Sequence, residues 1–223
     1  MNWQDQGFLI YKNKYNENSS IAEFFTKDRG KVSGIIYGAS SRKIRNYLLI
    51  GNNFHINYLS KNESKIGYFK IEIERICTAK FIEDPKKLAC ICYLFNMIKI
   101  LTVENQKNFG IYTLVNSFFD ILEDENWLTK FIYLELDIFN KLGYMINFKN
   151  YISETKNNNN QYYLKNDKNR IIPEFLIDNK APVSNFELSL GLKIVGDFLE
   201  KSILQPNNLN QISSRIDFVN KIK

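Results

Sequence analysis

The feature that most constrains this chain is a change of hydrophobic period at Asp84-Pro85. Before it, apolar residues recur at every second position. In residues 67–74, Phe69, Ile71 and Ile73 alternate with Lys70, Glu72 and Glu74. Phe54, Ile56 and Tyr58 alternate with His55 and Asn57. This spacing puts one face of a strand in a core and the other in water. Residues 21–26 and 31–37 are rich in β-branched and aromatic side chains and are joined by Lys27-Asp28-Arg29-Gly30, where Gly30 supplies the left-handed position of a hairpin turn. Residues 8–11 make a first short strand, and residues 51–53 and 60–64 are turn material. Five short strands in about 75 residues predict a small barrel or sandwich.

After Asp84-Pro85 the period becomes three and four. Residues 88, 91, 92, 95, 98 and 101 are apolar, and Pro85 stands where a first helical turn tolerates it. Helices are predicted over 86–104, 110–123 and 127–142, the last stopped by Gly143, and over 186–203 and 209–222. Residues 150–182 read as an irregular Asn-rich insert containing a short apolar piece at 162–164, and the Asn run at 157–160 as a polar linker. The predicted organisation is therefore α+β with two domains: a β module over residues 1–80 and a helical module over residues 81–223.

The 223 residues are 44% hydrophobic and 24% charged, which fits a folded globular chain. The longest apolar run, residues 88–95, is too short to span a bilayer, and no secretory signal is visible, so a cytoplasmic protein is expected. Net charge is +6, and it is uneven: +6 over residues 1–80, −2 over 81–152 and +2 over 153–223. The densest cationic stretch holds Lys27, Arg29, Lys31, Arg42, Lys43 and Arg45. An anionic partner is the natural counterpart of such a stretch, and these six are the candidate DNA-binding residues. Tyr37, Tyr47 and Tyr58 are candidate base-stacking aromatics, although an aromatic on a strand more often packs a core.

Enzyme signatures are missing. The chain contains no phosphate-cradling G-x-x-x-x-G-K-[ST], no G-x-G-x-x-G and no G-x-S-x-G. Its one histidine, His55, stands on the outer face of a strand without a partner nucleophile. Glu72 and Glu74 share a strand face and would be the acids of a metal-dependent nuclease, but an alternating solvated face accounts for them. Cys90 and Cys92 lie about 200° apart around a helix, so they do not share a metal, and Cys77 has no CxxC partner; all three are expected to be buried structural thiols. No catalytic residue, metal or cofactor is expected.

Several stretches resemble the RecO family of bacterial recombination mediators. Gly7-Phe-Leu-Ile, then Ile21-Ala-Glu-Phe-Phe-Thr-Lys-Asp-Arg-Gly and Gly34-Ile-Ile-Tyr-Gly-Ala-Ser-Ser-Arg-Lys-Ile-Arg45, follow that family's strand, F-T-x-x-x-G and G-[AG] pattern with trailing basic residues. Leu48-Leu-Ile-Gly-Asn52 is similar to its L-x-x-G-N turn, and Phe81-Ile-Glu-Asp-Pro-Lys-Lys-Leu-Ala89 to its Asp-Pro helix start. The helix from Trp127 to Tyr144 is similar to the family's W-x-x-x-[FY]-x-x-x-E-L-x-L pattern with its Gly-Tyr end, and the stretch from Gly191 to Glu200 is similar to alphaproteobacterial members. The resemblance implies an N-terminal OB-fold and a helical C-terminal domain. It implies binding of single- and double-stranded DNA, annealing of complementary strands, and work with RecR to load RecA on DNA coated by the single-stranded-DNA-binding protein, whose acidic C-terminal tail would dock on the helical domain near Lys193 or Lys201. Many members carry a four-cysteine zinc site after the Gly-Tyr helix end; residues 147–182 here hold no cysteine, so the zinc is expected to be absent. A generic RNA-binding OB protein is the alternative reading, and a nuclease using Glu72 and Glu74 a further one.

Overall fold

A computed structural model describes residues 2–61, 66–152, 162–165, 167–178, 182 and 184–222. The alternating segments form β1 (Asn2–Lys14), β2 (Ser19–Thr26), β3 (Gly30–Tyr37), β4 (Asn53–Leu59) and β5 (Tyr68–Arg75), with a four-residue helix α1 (Arg42–Arg45) between β3 and β4. They close as a barrel in the order β1-β2-β3-β5-β4. β1 makes this possible by length. Its first half pairs with β4 (Asn2↔Leu59 to Phe8↔Asn53), its second half with β2, and a bulge between Leu9 and Tyr11 lets it bend from one to the other. The barrel closes where β3 meets β5, at the single parallel pair Ile35↔Tyr68, with Ile35 N donating to Gly67 O at 2.9 Å.

The alternation decides which side chains fill the barrel. Leu9, Phe24, Val32, Ile36, Phe54, Ile56 and Phe69 are buried inside it. Phe24 stands edge-on to Phe54 and to Phe69, with ring centroids at 5.6 and 5.1 Å, the geometry that sets a positive ring edge on a negative face. Gly34 leaves room for Phe69: a Cβ there would lie 2.6 Å from the ring. Gly30 turns the β2–β3 hairpin at φ +68°, and a Cβ on it would fall 1.9 Å from Gln106 O.

α2 (Pro85–Leu101) starts as the sequence predicts: Asp84 caps it, its carboxylate accepting from Lys86 N and Lys87 N, with Pro85 in the first turn. Phe8 on β1 lies 6.0 Å from Phe95 and 5.5 Å from Tyr112 at the start of α3 (Phe109–Glu123). α7 (Ser213–Ile222) lies along α2, where Phe218 stacks on Tyr93 at 5.8 Å and Arg215 Nε donates to the Tyr93 hydroxyl. One compact unit is therefore Met1–Val115 with Ile212–Lys221, and the second is Asn116–Gln211 with the last two residues. The second unit holds the rest of α3, α4 (Trp127–Lys141), a hairpin of β6 (Tyr162–Leu164) and β7 (Asp167–Ile172), α5 (Phe175–Asp178), and α6 (Asn185–Phe198), which continues into a π-helical turn at Leu199–Leu204. Phe118 packs on Phe131, Phe139 on Phe198, and the Tyr133 hydroxyl donates to Phe175 O at 2.7 Å.

Three expectations need correcting. The segment 150–182 is not irregular throughout, because Tyr162 and Tyr163 pair with Ile172 and Ile171 in a hairpin. The Asn run at 157–160 lies outside the described residues. The last helix begins at Ser213, not at 209. Of the three thiols, Cys77 and Cys90 are buried but Cys92 is exposed. Among the described residues no helix is long and apolar enough to cross a membrane.

Candidate nucleic-acid interface

The six candidate cations fall into two groups at opposite ends of β3. From Gly30 to Tyr37 a strand at ~3.3 Å per residue spans about 23 Å. Lys27, Arg29 and Lys31 lie at its start; Arg42, Lys43 and Arg45 lie just beyond its end.

The second group owes its position to one apolar residue. Gly38 turns the chain at φ +71°, Ser41 N donates to Gly38 O at 2.9 Å, and the Ser41 side chain caps α1 by accepting from Ile44 N. Within Arg42-Lys43-Ile44-Arg45 only Ile44 packs against the barrel core, its Cδ1 about 4.0 Å from where a Gly38 Cβ would be. Leu48, buried just after, fixes the way back, and Lys12 Nζ donates to Leu48 O at 2.5 Å. Burial there lowers the Lys12 pKa from its ordinary value. Ile44 and Leu48 being anchored, Arg42, Lys43 and Arg45 are left exposed. Among the described residues no carboxylate pairs with any of the three. The β1–β2 loop joins this end, because Ser19 pairs with Tyr37, and among its described residues Glu17 is the one carboxylate.

The first group is surrounded differently. Lys27 lines a polar depression with Asp5, Asp28 and Glu72. Asp28 N donates to Asp5 Oδ2, and the Lys107 ammonium bonds the Asp28 carboxylate at 2.6 Å, which holds its pKa below the ordinary aspartate value. The Arg29 guanidinium lies 4.9 Å over Trp3, and Trp3 is stacked on Tyr58 at 4.9 Å. Lys31 Nζ donates to Lys99 O at 2.7 Å, capping a carbonyl in the last turn of α2. Lys99 itself sits 3.5 Å from Glu23 and over the Tyr11 ring. At this end cations are interleaved with carboxylates and built into packing, so its outward field is largely cancelled.

The aromatics divide likewise. Tyr58 and Tyr47 pack against the barrel core. Tyr37, at the end of β3 beside α1, is 58% exposed. His55 pairs with Glu74, and Glu72 stands opposite His55 across the β4–β5 ladder. Among the described residues no group of three or more His, Cys, Asp or Glu side chains could hold a metal ion.

In the second unit, a groove of about 170 Å³ is lined by Ile146, Phe148, Ile172, Phe198, Asp197 and Lys201. Lys201 lies on it, whereas Lys193 does not.

Comparison with known proteins supplies the context. Residues 1–75 match the family model described as "Recombination protein O N terminal", and residues 82–177 match "Recombination protein O C terminal". The chain is similar to the DNA repair protein RecO of Ehrlichia chaffeensis, 26% identical over all of this chain and 98% of that protein. It is 21% identical to the same protein of Rhodospirillum centenum, over all of this chain and 95% of the relative, and 22% identical to that of Caulobacter vibrioides NA1000, over 93% and 92%. A five-stranded barrel followed by helices, two family models matched in order and relatives aligned nearly end to end show that the chain belongs to the recombination protein O family of DNA repair proteins.

Proposed function

We propose that the protein is a non-enzymatic DNA repair and recombination mediator that binds single- and double-stranded DNA through the α1 end of its barrel. The observation that carries this is the trio Arg42, Lys43 and Arg45, exposed together and free of carboxylate partners among the described residues. Such cations bind phosphates by releasing counterions, independently of sequence. Lys27 and Arg29 extend the basic track more weakly, because Asp5 and Asp28 stand beside them. Lys31 adds its charge, though its ammonium is held by α2. Two polyanionic strands repel; a cationic barrel end that screens both lets complementary bases meet. The step consumes nothing, and the chain has no phosphate-cradling loop with which to couple nucleotide hydrolysis.

On this reading the protein acts in the bacterial cytoplasm, at the nucleoid, with RecR, and assists RecA loading on strands coated by the single-stranded-DNA-binding protein. The groove beside Lys201 offers that protein's acidic, apolar tail apolar walls and one cation, with Asp197 also on its lining. The test is annealing of complementary strands without ATP or added metal. Wild-type protein is expected to accelerate duplex formation, and R42A/K43A/R45A to lose most of that acceleration. A requirement for ATP, or full activity in the triple variant, overturns the proposal.

A further inference from the structure

At the end of β3 two tyrosine rings meet on the outside of the barrel. Tyr37 and Tyr68 have ring centroids 5.7 Å apart and planes inclined at 58°. The contact follows from the barrel's closure: Ile35 pairs with Tyr68, which brings the last turn of β3 beside the first residue of β5. Tyr68 is only partly exposed and backs Tyr37, whose ring stays 58% exposed. The nearby ends of the β1–β2 and β4–β5 loops carry Tyr15, 58% exposed, and Ile66, 52% exposed. Tyr37 is opposite Ser19 in the β2–β3 ladder, and Tyr15 N donates to Ser19 O, so Tyr15 belongs to the same rim.

Five residues after Tyr37 begin the exposed cations of α1, and Ile44 pulls that helix back against Gly38. A ring held from behind and a cluster of exposed cations thus share one edge of the barrel. This is what a nucleotide with an exposed base presents in mirror image: a π-face and a phosphate. A duplex offers its phosphates but keeps its base faces stacked inside.

We infer that Tyr37, supported by Tyr68, is a stacking platform for an unpaired base, while Arg42, Lys43 and Arg45 hold the adjoining phosphates. The platform gives this barrel end a preference for single strands over duplex that the cations alone do not provide. It rests on the DNA-binding reading above and adds a discriminating residue to it.

The test compares a dT12 strand with a 12-mer of identical phosphate count whose sugars carry no bases, in binding titrations with the full chain at fixed salt. Wild-type protein is expected to favour dT12 by about five- to a hundredfold, the range that stacking of one base on one aromatic provides. Y37L and Y68L are expected to bring the ratio towards one, whereas Y37F keeps it. R42A/K43A/R45A is expected to weaken both strands by similar factors and leave the ratio in place. A wild-type ratio of one, with both strands bound, overturns the platform and leaves the DNA-binding reading standing; an unchanged ratio in Y37L does the same. Failure of wild-type protein to bind either strand at low salt overturns both.

Discussion

Replacing Arg42, Lys43 and Arg45 together by alanine gives the sharpest measurement on this fold. All three are exposed, and the packing residues of the segment, Ile44 and Leu48, are untouched, so the thermal midpoint should stay where it is. Each phosphate neutralised contributes about 0.7 to the slope of log K against log salt on single strands, and about 0.9 on duplex. If each cation meets one phosphate, the triple variant loses about 2.1 from the single-strand slope and about 2.7 from the duplex slope. Between 50 and 200 mM salt the wild type should then lose about 18-fold more single-strand affinity than the variant. The comparison arm is K27A/R29A. Its cations lie about 23 Å away along β3, beyond a Debye length of ~8 to 10 Å, so the two sets act independently. With Asp5 and Asp28 beside them, they should change the slope by less than half as much. Fluorescence anisotropy with a short labelled strand, over five salt concentrations, measures both. An unchanged slope in the α1 variant, or a larger change in K27A/R29A, refutes the assignment of the DNA path.

Three further outcomes follow from packing and titration. Lys107 holds the Asp28 carboxyl below its ordinary value, so the stabilisation it gives is present above that ordinary value and is lost as pH falls through the depressed one. The melting temperatures of wild type and K107A should accordingly converge as pH falls below the ordinary aspartate range, and a gap that stays constant from neutral pH to full acid would contradict this. A maleimide should modify one thiol in the native protein and three in the unfolded protein, with C92S abolishing the native reaction; the reaction should be slow, because partial desolvation pushes the thiol of this exposed residue up. G34V places methyl groups where a Cβ alone already lies 2.6 Å from Phe69, and should destabilise the barrel by about 1–3 kcal/mol in denaturant unfolding, while a variant as stable as wild type would mean that Phe69 moves freely.

Much of the barrel was legible because its signals are local. Alternation marks β4 and β5, Gly30 marks the hairpin, and Asp84-Pro85 marks the cap and first turn of α2. What escaped depends on partners distant in sequence. Residues 2–6 lie outside the strand predicted at 8–11, yet they pair with β4 and supply five of the 13 residues of β1. Exposed Cys92 could not be found by period, since α2 is buried on most of its circumference: positions 89–91, 93–95, 97 and 98 are all covered. The break in texture at Asp84 marks where strands give way to helices, whereas the compact units divide inside α3, because α2 packs on β1 and α7 returns to α2. Of the candidate aromatics, Tyr37 could be told from Tyr47 and Tyr58 only by the end of the strand on which it falls.

The charge run from Lys27 to Arg45 shows why a linear cluster is not yet a site. A strand is a spacer, and β3 sets half of the run at each end of the barrel. What each half then does is decided by residues the run does not contain. Asp5 arrives from β1 and Lys107 from the approach to α3, and they turn the hairpin end into an ion-paired network; the C-terminal carbonyl of Lys99 takes the ammonium of Lys31. At the other end the neighbours are Asn18, Ser40 and Ser41, which satisfy the turn through neutral hydrogen bonds and bring no counter-charge. Six cations of the same sequence density thus yield one neutralised end and one open end. The open end is also the one where closure of β3 on β5 sets Tyr68 behind Tyr37, so the Ile44 anchor and the barrel's closure bring charge and π-surface to one edge.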